Sequence, residues 1–292
     1  MTPDTSHHAA NLRGSLFMVL AMLAFTLEDV FIKAAAAHIP LGQVMLTFGL
    51  GGLLAFVAMA RLRGEVILHP QAFGRAMTWR ALFEITGRVC YTVAIALTPL
   101  SSASAILQAT PLVVAAGAVM VFRETVGWRQ WAAIGAGFVG VLLILRPGLD
   151  AFEPLSLFAV LGMIGFAGRD LATRAAPKSM TTAQLGVYGF IMLSIAGGIV
   201  WGYQGGVAPL GAGGMVLTGP AILFGVAAYM CLTMAMRTGQ IAVIAPFRYT
   251  RLVFAMILAV AVFGERPDAM TLIGSLIIVA SGLYTVWQSR RV

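Results

Sequence analysis

Ser15–Ala35 reads SLFMVLAMLAFTLEDVFIKAA, and 141 residues further on Ser156–Ala176 reads SLFAVLGMIGFAGRDLATRAA. Ten of these 21 positions are identical, among them Phe17/Phe158, Met22/Met163, Phe25/Phe166 and Asp29/Asp170. Composition alone would give about two matches in a chain this apolar. The same ungapped shift pairs Gln43 with Gln184, Leu82-Phe83 with Leu223-Phe224, the two cysteines Cys90 and Cys231, and Glu124 with Glu265. A duplicated half therefore accounts for the chain, with repeats expected over 1–150 and 151–292.

Of the 292 residues 60% are hydrophobic and only 10% charged, whereas about a quarter are charged in soluble proteins. A globule in water cannot bury that much apolar surface, so the chain reads as an integral membrane protein. Ten apolar stretches are long enough to cross a bilayer, at about 14–36, 41–60, 78–98, 102–122, 130–146, 155–175, 182–203, 215–236, 240–263 and 268–287. They are too long for strands and lack period-two alternation, so the fold class is all-α. Turn residues separate most of them, as at His38-Ile39-Pro40, Pro147-Gly148 and Gly205-Gly206. The first stretch has no small-residue cleavage site after it and reads as a retained helix.

Basic residues fix the expected orientation. With the N-terminus in the cytoplasm, twelve Lys and Arg (Arg13, Arg61, Arg80 and Arg129 among them) fall on that side and three (Lys33, Arg146, Arg266) on the other. The bias places both termini in the cytoplasm of a multi-pass protein of a bacterial-type inner membrane. It also accounts for the high pI of 10.2 without nucleic acid as a partner. Five spans per repeat is odd, so the second repeat enters the bilayer upside down. Ten transmembrane helices in a 5+5 inverted repeat around a central cavity is the architecture of secondary transporters.

The stretch Ser102–Ile144, SASAILQATPLVVAAGAVMVFRETVGWRQWAAIGAGFVGVLLI, resembles the drug/metabolite transporter superfamily in its EamA branch. Thr110-Pro111, Arg123-Glu124, Gln130-Trp131 and the Gly135/Gly137/Gly140 helix stand in the places of that family's signature. Gly264-Glu265-Arg266-Pro267 echoes it in the second half, while Phe122-Arg123 replaces the usual glycine in the first. The resemblance implies a transporter, similar to exporters of aromatic and other amino acids. It also implies a cavity lined by spans three, four, eight and nine with parts of one and six.

Charges inside a membrane are costly and need partners or water. Glu28, Asp29, Glu84 and Asp170 stand against Arg88, Arg169, Arg248 and Arg251. Glu84/Arg88, Asp29/Lys33 and Asp170/Arg174 lie four apart and can pair along one helix face. Arg248 and Arg251 have no acid nearby on span nine, so they either bind a substrate carboxylate or pair across helices. Pro111 and Pro246 each remove a backbone donor in mid-span and read as hinges. Gln108, Thr110 and Tyr249 surround these breaks, and Phe25, Tyr91, Phe166 and Tyr229 complete a candidate substrate site suited to an aromatic side chain. Each aromatic has ordinary helix packing as its alternative. Small residues on spans five and ten suit close packing, and the five tryptophans lie near span ends as interfacial anchors.

No metal or cofactor is expected. The histidines (His7, His8, His38, His69) fall outside the spans, the cysteines read as small hydrophobes, and no nucleophile, zinc or phosphate-loop motif occurs. An intramembrane enzyme is thereby disfavoured. The expected function is export of small metabolites, amino acids first, by alternating access as a secondary or facilitative carrier. Another metabolite class (nucleobase, sugar or drug-like), or a pore or lipid scramblase, is the alternative. Small-molecule substrate and membrane lipid are the expected partners. Glu28, Glu84 and Asp170 make a proton a candidate coupling ion.

Overall fold

The structure is a computed structural model and describes residues 3–67, 69–70, 72–122, 127–145, 153–175, 179–209, 213–238 and 245–289. Among them are eleven α-helices: α1 (Pro3–Ala36), α2 (Leu41–Leu62), α3 (Arg75–Leu97), α4 (Leu100–Leu107), α5 (Thr110–Phe122), α6 (Trp128–Leu145), α7 (Leu157–Arg174), α8 (Thr182–Gln204), α9 (Gly213–Thr238), α10 (Thr250–Phe263) and α11 (Ala269–Ser289). Short 3-10 turns at Pro154–Ser156 and Ala245–Tyr249 precede α7 and α10. Helices α4 and α5 are the halves of one span, so the fold is ten membrane helices. The motif residues Arg123-Glu124, the turn Arg146-Pro147-Gly148 and residues 240–244 of the ninth span lie outside the described residues.

Six of the helices are long and apolar enough to cross a bilayer by length and composition. Helix α3 falls short of that test for a chemical reason. It carries Arg75, Arg80, Glu84 and Arg88. Arg80, counted above among the basic residues of the cytoplasmic side, is inside this helix and only 3% exposed. Outward-facing side chains are apolar instead, as at Leu54 (70% exposed) and Leu223 (66%), which is what a lipid-facing surface requires.

By contact density the chain divides into two compact units, Met1–Thr26 with Pro99–Pro154 and Ala227–Val292, and Leu27–Thr98 with Leu155–Val226. In the second unit α2 packs along α8 and α3 along α7. Helix α8 is the repeat copy of α2, and their contacts run in opposite senses. Gly42 lies against Trp201, Gly49 against Ser194 and Gly186 against Phe56. Two copies of one sequence packed antiparallel is inversion made visible. In the first unit α6 packs on its own copy, α11, again antiparallel, with Gly137 beside Ser281 and Gly140 beside Gly274. A Cβ on Gly140 would stand 2.7 Å from the Gly274 carbonyl oxygen, so the small residues noted on these spans serve helix packing.

The repeat glutamines perform matched tasks. Gln43 donates to the Ala208 carbonyl at 2.8 Å and accepts from the Ala208 N–H at 2.9 Å, tying α2 to the loop after α8. Gln184 donates to the Val66 carbonyl at 2.6 Å, tying α8 to the loop after α2. It also closes a capping box with Thr181 at the start of α8. These links fasten the start of each helix to the end of its own copy.

Candidate functional site

In the unit built from Leu27–Thr98 and Leu155–Val226, three helices bring charges together. Arg80, Glu84, Arg88 and Tyr91 recur along α3 at helical spacing, so they share one face. Helix α7 presents Phe166, Arg169, Asp170 and Thr173, and α1 presents Glu28 and Asp29. The Arg88 guanidinium donates to Glu28 at 2.9 Å, and Glu28 is 1% exposed. Glu84 is approached by Arg80 at 3.6 Å, Arg88 at 3.7 Å and Arg169 at 3.5 Å. Arg169 also grips Asp170 at 2.8 Å, while Arg80 donates to the Thr173 hydroxyl at 3.1 Å. The result is an alternating chain, Glu28–Arg88–Glu84–Arg169–Asp170, in which opposite charges offset the cost of burial.

Phe166 is the apolar centre of this cluster. Arg169 lies over its ring at 4.9 Å and Arg88 at 5.8 Å, and Tyr91 meets it edge-on at 5.9 Å. The Tyr91 hydroxyl donates to Asp29 at 3.1 Å. Such closeness depends on the crossing of α3 and α7. A Cβ on Gly165 would stand 2.5 Å from the backbone of Gly87, and one on Gly162 2.9 Å from that of Tyr91. The expected Glu84/Arg88 pair is therefore present but belongs to a larger network. Lys33 donates to the Thr98 carbonyl at 2.6 Å. The Asp170/Arg174 pair lies outside the described residues because the Arg174 side chain is not among them.

The other unit holds the remaining candidates. The Arg251 guanidinium lies over the Phe25 ring at 5.2 Å. Phe25 in turn packs against the buried cluster of Met18, Ala21, Met22 and Ala235, as does Cys231, a small hydrophobe there. Gln108, the C-cap of α4, donates its side-chain amide to the Arg248 carbonyl at 2.9 Å. Thr110 opens α5 and bonds through its hydroxyl to the Leu107 carbonyl. That is the carbonyl a helical N–H at position 111 would use, and Pro111 has none to give. The span is thus broken between Leu107 and Thr110 rather than bent, with Pro111 in the first turn of α5, where proline is tolerated. Pro246 lies in the 3-10 turn before α10. Tyr249 is 5% exposed and packs on α11, its hydroxyl filling the space a side chain on Gly282 would need. Tyr229 lies in α9, where its carbonyl accepts the Thr233 hydroxyl at 2.9 Å.

Phe25, Gln108, Thr110, Tyr229, Arg248, Tyr249 and Arg251 thus fall in one unit, and Glu28, Glu84, Arg88, Tyr91 and Phe166 in the other. Sequence reasoning passed over Arg80 and Glu265. The spacing 80, 84, 88 was a signal for Arg80, and the matched Glu124/Glu265 pair was one for Glu265. Among the described residues no group of His, Cys, Asp and Glu is arranged to hold a metal.

The chain matches the EamA-like transporter family twice, over residues 12–146 and 154–287. It is 26% identical to the S-adenosylmethionine uptake transporter of Rickettsia prowazekii, over 96% of this chain and 94% of that protein. It is also 26% identical to the riboflavin transporter of Rhizobium johnstonii, over 95% and 92% of the two chains. The pseudopaline exporter of Pseudomonas aeruginosa is 26% identical over 92% and 94%. A protein of solved crystal structure, 18% identical, superposes with a TM-score of 0.61 over 95% of this chain and 98% of its own, which speaks to fold alone. The two repeats, the ten helices and these matches point to transport rather than catalysis, and the chain belongs to the EamA-like transporter family as a multi-pass membrane transporter.

Proposed function

We propose that the protein is a secondary or facilitative carrier that exports small metabolites, amino acids including aromatic ones first among them, by alternating access. Its two repeats, 1–150 and 151–292, have both termini in the cytoplasm of a bacterial-type inner membrane. The observation that carries the substrate class is Arg251 laid over the Phe25 ring at 5.2 Å, next to the break at Ala245–Tyr249. Stacking engages the flat face of a guanidinium, and its in-plane N–H fork is the part that matches a carboxylate. Gln108 and Thr110 supply polar groups at the partner break, and Pro111 there and Pro246 in the Ala245–Tyr249 turn act as the hinges. In the other unit, Arg88, Glu28, Glu84, Tyr91 and Phe166 combine rings with charge, and their carboxylates are the candidates for proton coupling. Tyr229 and Tyr249 complete the aromatic set.

Counterflow in proteoliposomes tests this reading. Labelled L-phenylalanine should exchange saturably, and Arg251→Gln should raise its apparent KM by about tenfold or more, the loss of one charge-assisted contact. Unchanged kinetics in correctly inserted Arg251→Gln would remove the carboxylate site. Linear, non-saturating flux would replace the carrier by a pore. A second reading is uptake of a larger ring-bearing solute. It is favoured by relatives named for S-adenosylmethionine uptake and riboflavin transport. Assaying those two compounds beside the amino acids, with and without a pH gradient, separates the readings and tests proton coupling.

A further inference from the structure

Glu265 belongs to neither charge cluster described so far, yet its carboxylate bonds directly to the start of helix α4. One carboxylate oxygen accepts the Leu100 N–H at 2.7 Å. The other accepts the Ser101 N–H at 3.1 Å and the Ser101 hydroxyl at 2.8 Å. Helix α4 needs them, because its first N–H groups have no partners within the helix. Its N-cap residue, Pro99, makes no side-chain cap. A carboxylate at this position also meets the positive end of the helix dipole.

The turn after α10 aims Glu265 there. Gly264 takes φ 62°, a left-handed conformation that glycine adopts freely. Its N–H bonds to the Val260 carbonyl and that of Glu265 to the Ala259 carbonyl, each at 3.1 Å, and the left-handed Gly264 closes the helix end as an αL cap. At the far end of α4, Gln108 holds the Arg248 carbonyl just before α10. Both ends of α4 are therefore fastened to the two chain segments that flank α10. An isolated helix of eight residues is too short to hold its own place.

We propose that Glu265 is a positioning residue that clamps α4 onto α10 as one body, so that Gln108 and Arg248 keep their register while solute is moved. The inference rests on the transport reading above, with the breaks at Gln108 and Arg248 beside the solute. The clamp lies wholly within one compact unit, so it stays closed through the cycle instead of acting as a gate.

The test uses the full chain in nanodiscs and proteoliposomes. By amide hydrogen exchange, Glu265→Ala should speed exchange of the first α4 amides by about tenfold or more, as expected for lost bonds to a charged group. Glu265→Gln should restore part of the protection, and Arg266→Gln, in the same exposed turn, should leave it intact. In counterflow with L-phenylalanine, S-adenosylmethionine or riboflavin, Glu265→Ala should raise the apparent KM severalfold at nearly unchanged maximal rate per inserted molecule, with partial return in Glu265→Gln. Unchanged α4 exchange overturns the clamp. Faster exchange with an unchanged KM reduces Glu265 to a helix cap and overturns its positioning role. Should the wild type carry none of the three probes, the amino-acid reading and its ring-bearing alternative fall. The clamp is then decided by whether Glu265→Ala also speeds exchange at Tyr249 and Thr250, as it must if α4 and α10 are one body.

Discussion

At the scale of single residues, the deciding quantity is what a buried charge costs when its partner is removed. Glu28 is 1% exposed and takes a 2.9 Å bond from Arg88. Removing one member of a buried pair destabilises by about 3–5 kcal/mol, whereas removing both can be nearly neutral. Arg88→Met should therefore lower the thermal midpoint in detergent strongly, and Glu28→Gln combined with Arg88→Met should recover much of it. Additive losses in the double variant would mean that the two side chains act independently. The pairing of Glu84 with Arg88 was legible from their spacing on one helix. Arg169 as the third guanidinium on Glu84, and Phe166 between two guanidiniums, were not, because both depend on the distance between α3 and α7. The burial of Arg80 was hidden for a similar reason. This arginine was counted only as a basic residue of the cytoplasmic side, and inside α3 it meets Thr173 and Glu84.

At the scale of helices, the closest crossings are set by glycines whose missing side chains make room for a neighbour's backbone. On α7, Gly162, Gly165 and Gly168 are spaced three apart and face α3, where Gly87, Tyr91 and Phe83 press against them. Gly165→Ala puts a methyl 2.5 Å from Gly87 backbone atoms, so the helices must part. The contact of Arg169 with Glu84 depends on that distance, and overpacking of this kind costs about 1–3 kcal/mol. Gly135→Ala, where nothing lies within 4 Å, should be neutral or slightly stabilising through helix propensity. Measured melting temperatures that fell equally in both variants would show that the crossing is not tight. Element positions were legible because apolar runs and turn residues mark helix ends. The break in the fourth span was foreseen from Pro111, but its form was not. Thr110 bonds the freed carbonyl of Leu107, which makes a clean interruption cheaper than a kink. The clamp from Glu265 to α4 joins residues 164 and 165 positions apart, beyond what local pattern can show.

At the scale of the whole molecule, duplication does most of the explaining. A half with an odd number of spans must be inverted relative to its copy. Each unit carries the mark of that inversion in a helix packed antiparallel on its own repeat copy, α2 on α8 in one and α6 on α11 in the other. Matched Gln43 and Gln184 bind the matched loops in the same way, so the repeat extends to hydrogen bonds that no periodicity reveals. An even number of spans predicts both ends of the chain on one face of the membrane, and the excess of Lys and Arg predicts that this face is cytoplasmic. A fluorescent protein fused after Val292 should therefore be bright in a bacterial host, because it folds only in the cytoplasm. Alkaline phosphatase inserted after Gly206, beyond the end of α8, should be active, because it requires the periplasm. Adding lysines to the Gly205–Pro209 segment should work against this arrangement and lower the phosphatase signal. A dark C-terminal fusion paired with an inactive phosphatase at Gly206 would invert the molecule, and export and uptake would exchange places in every assay that assumes its orientation.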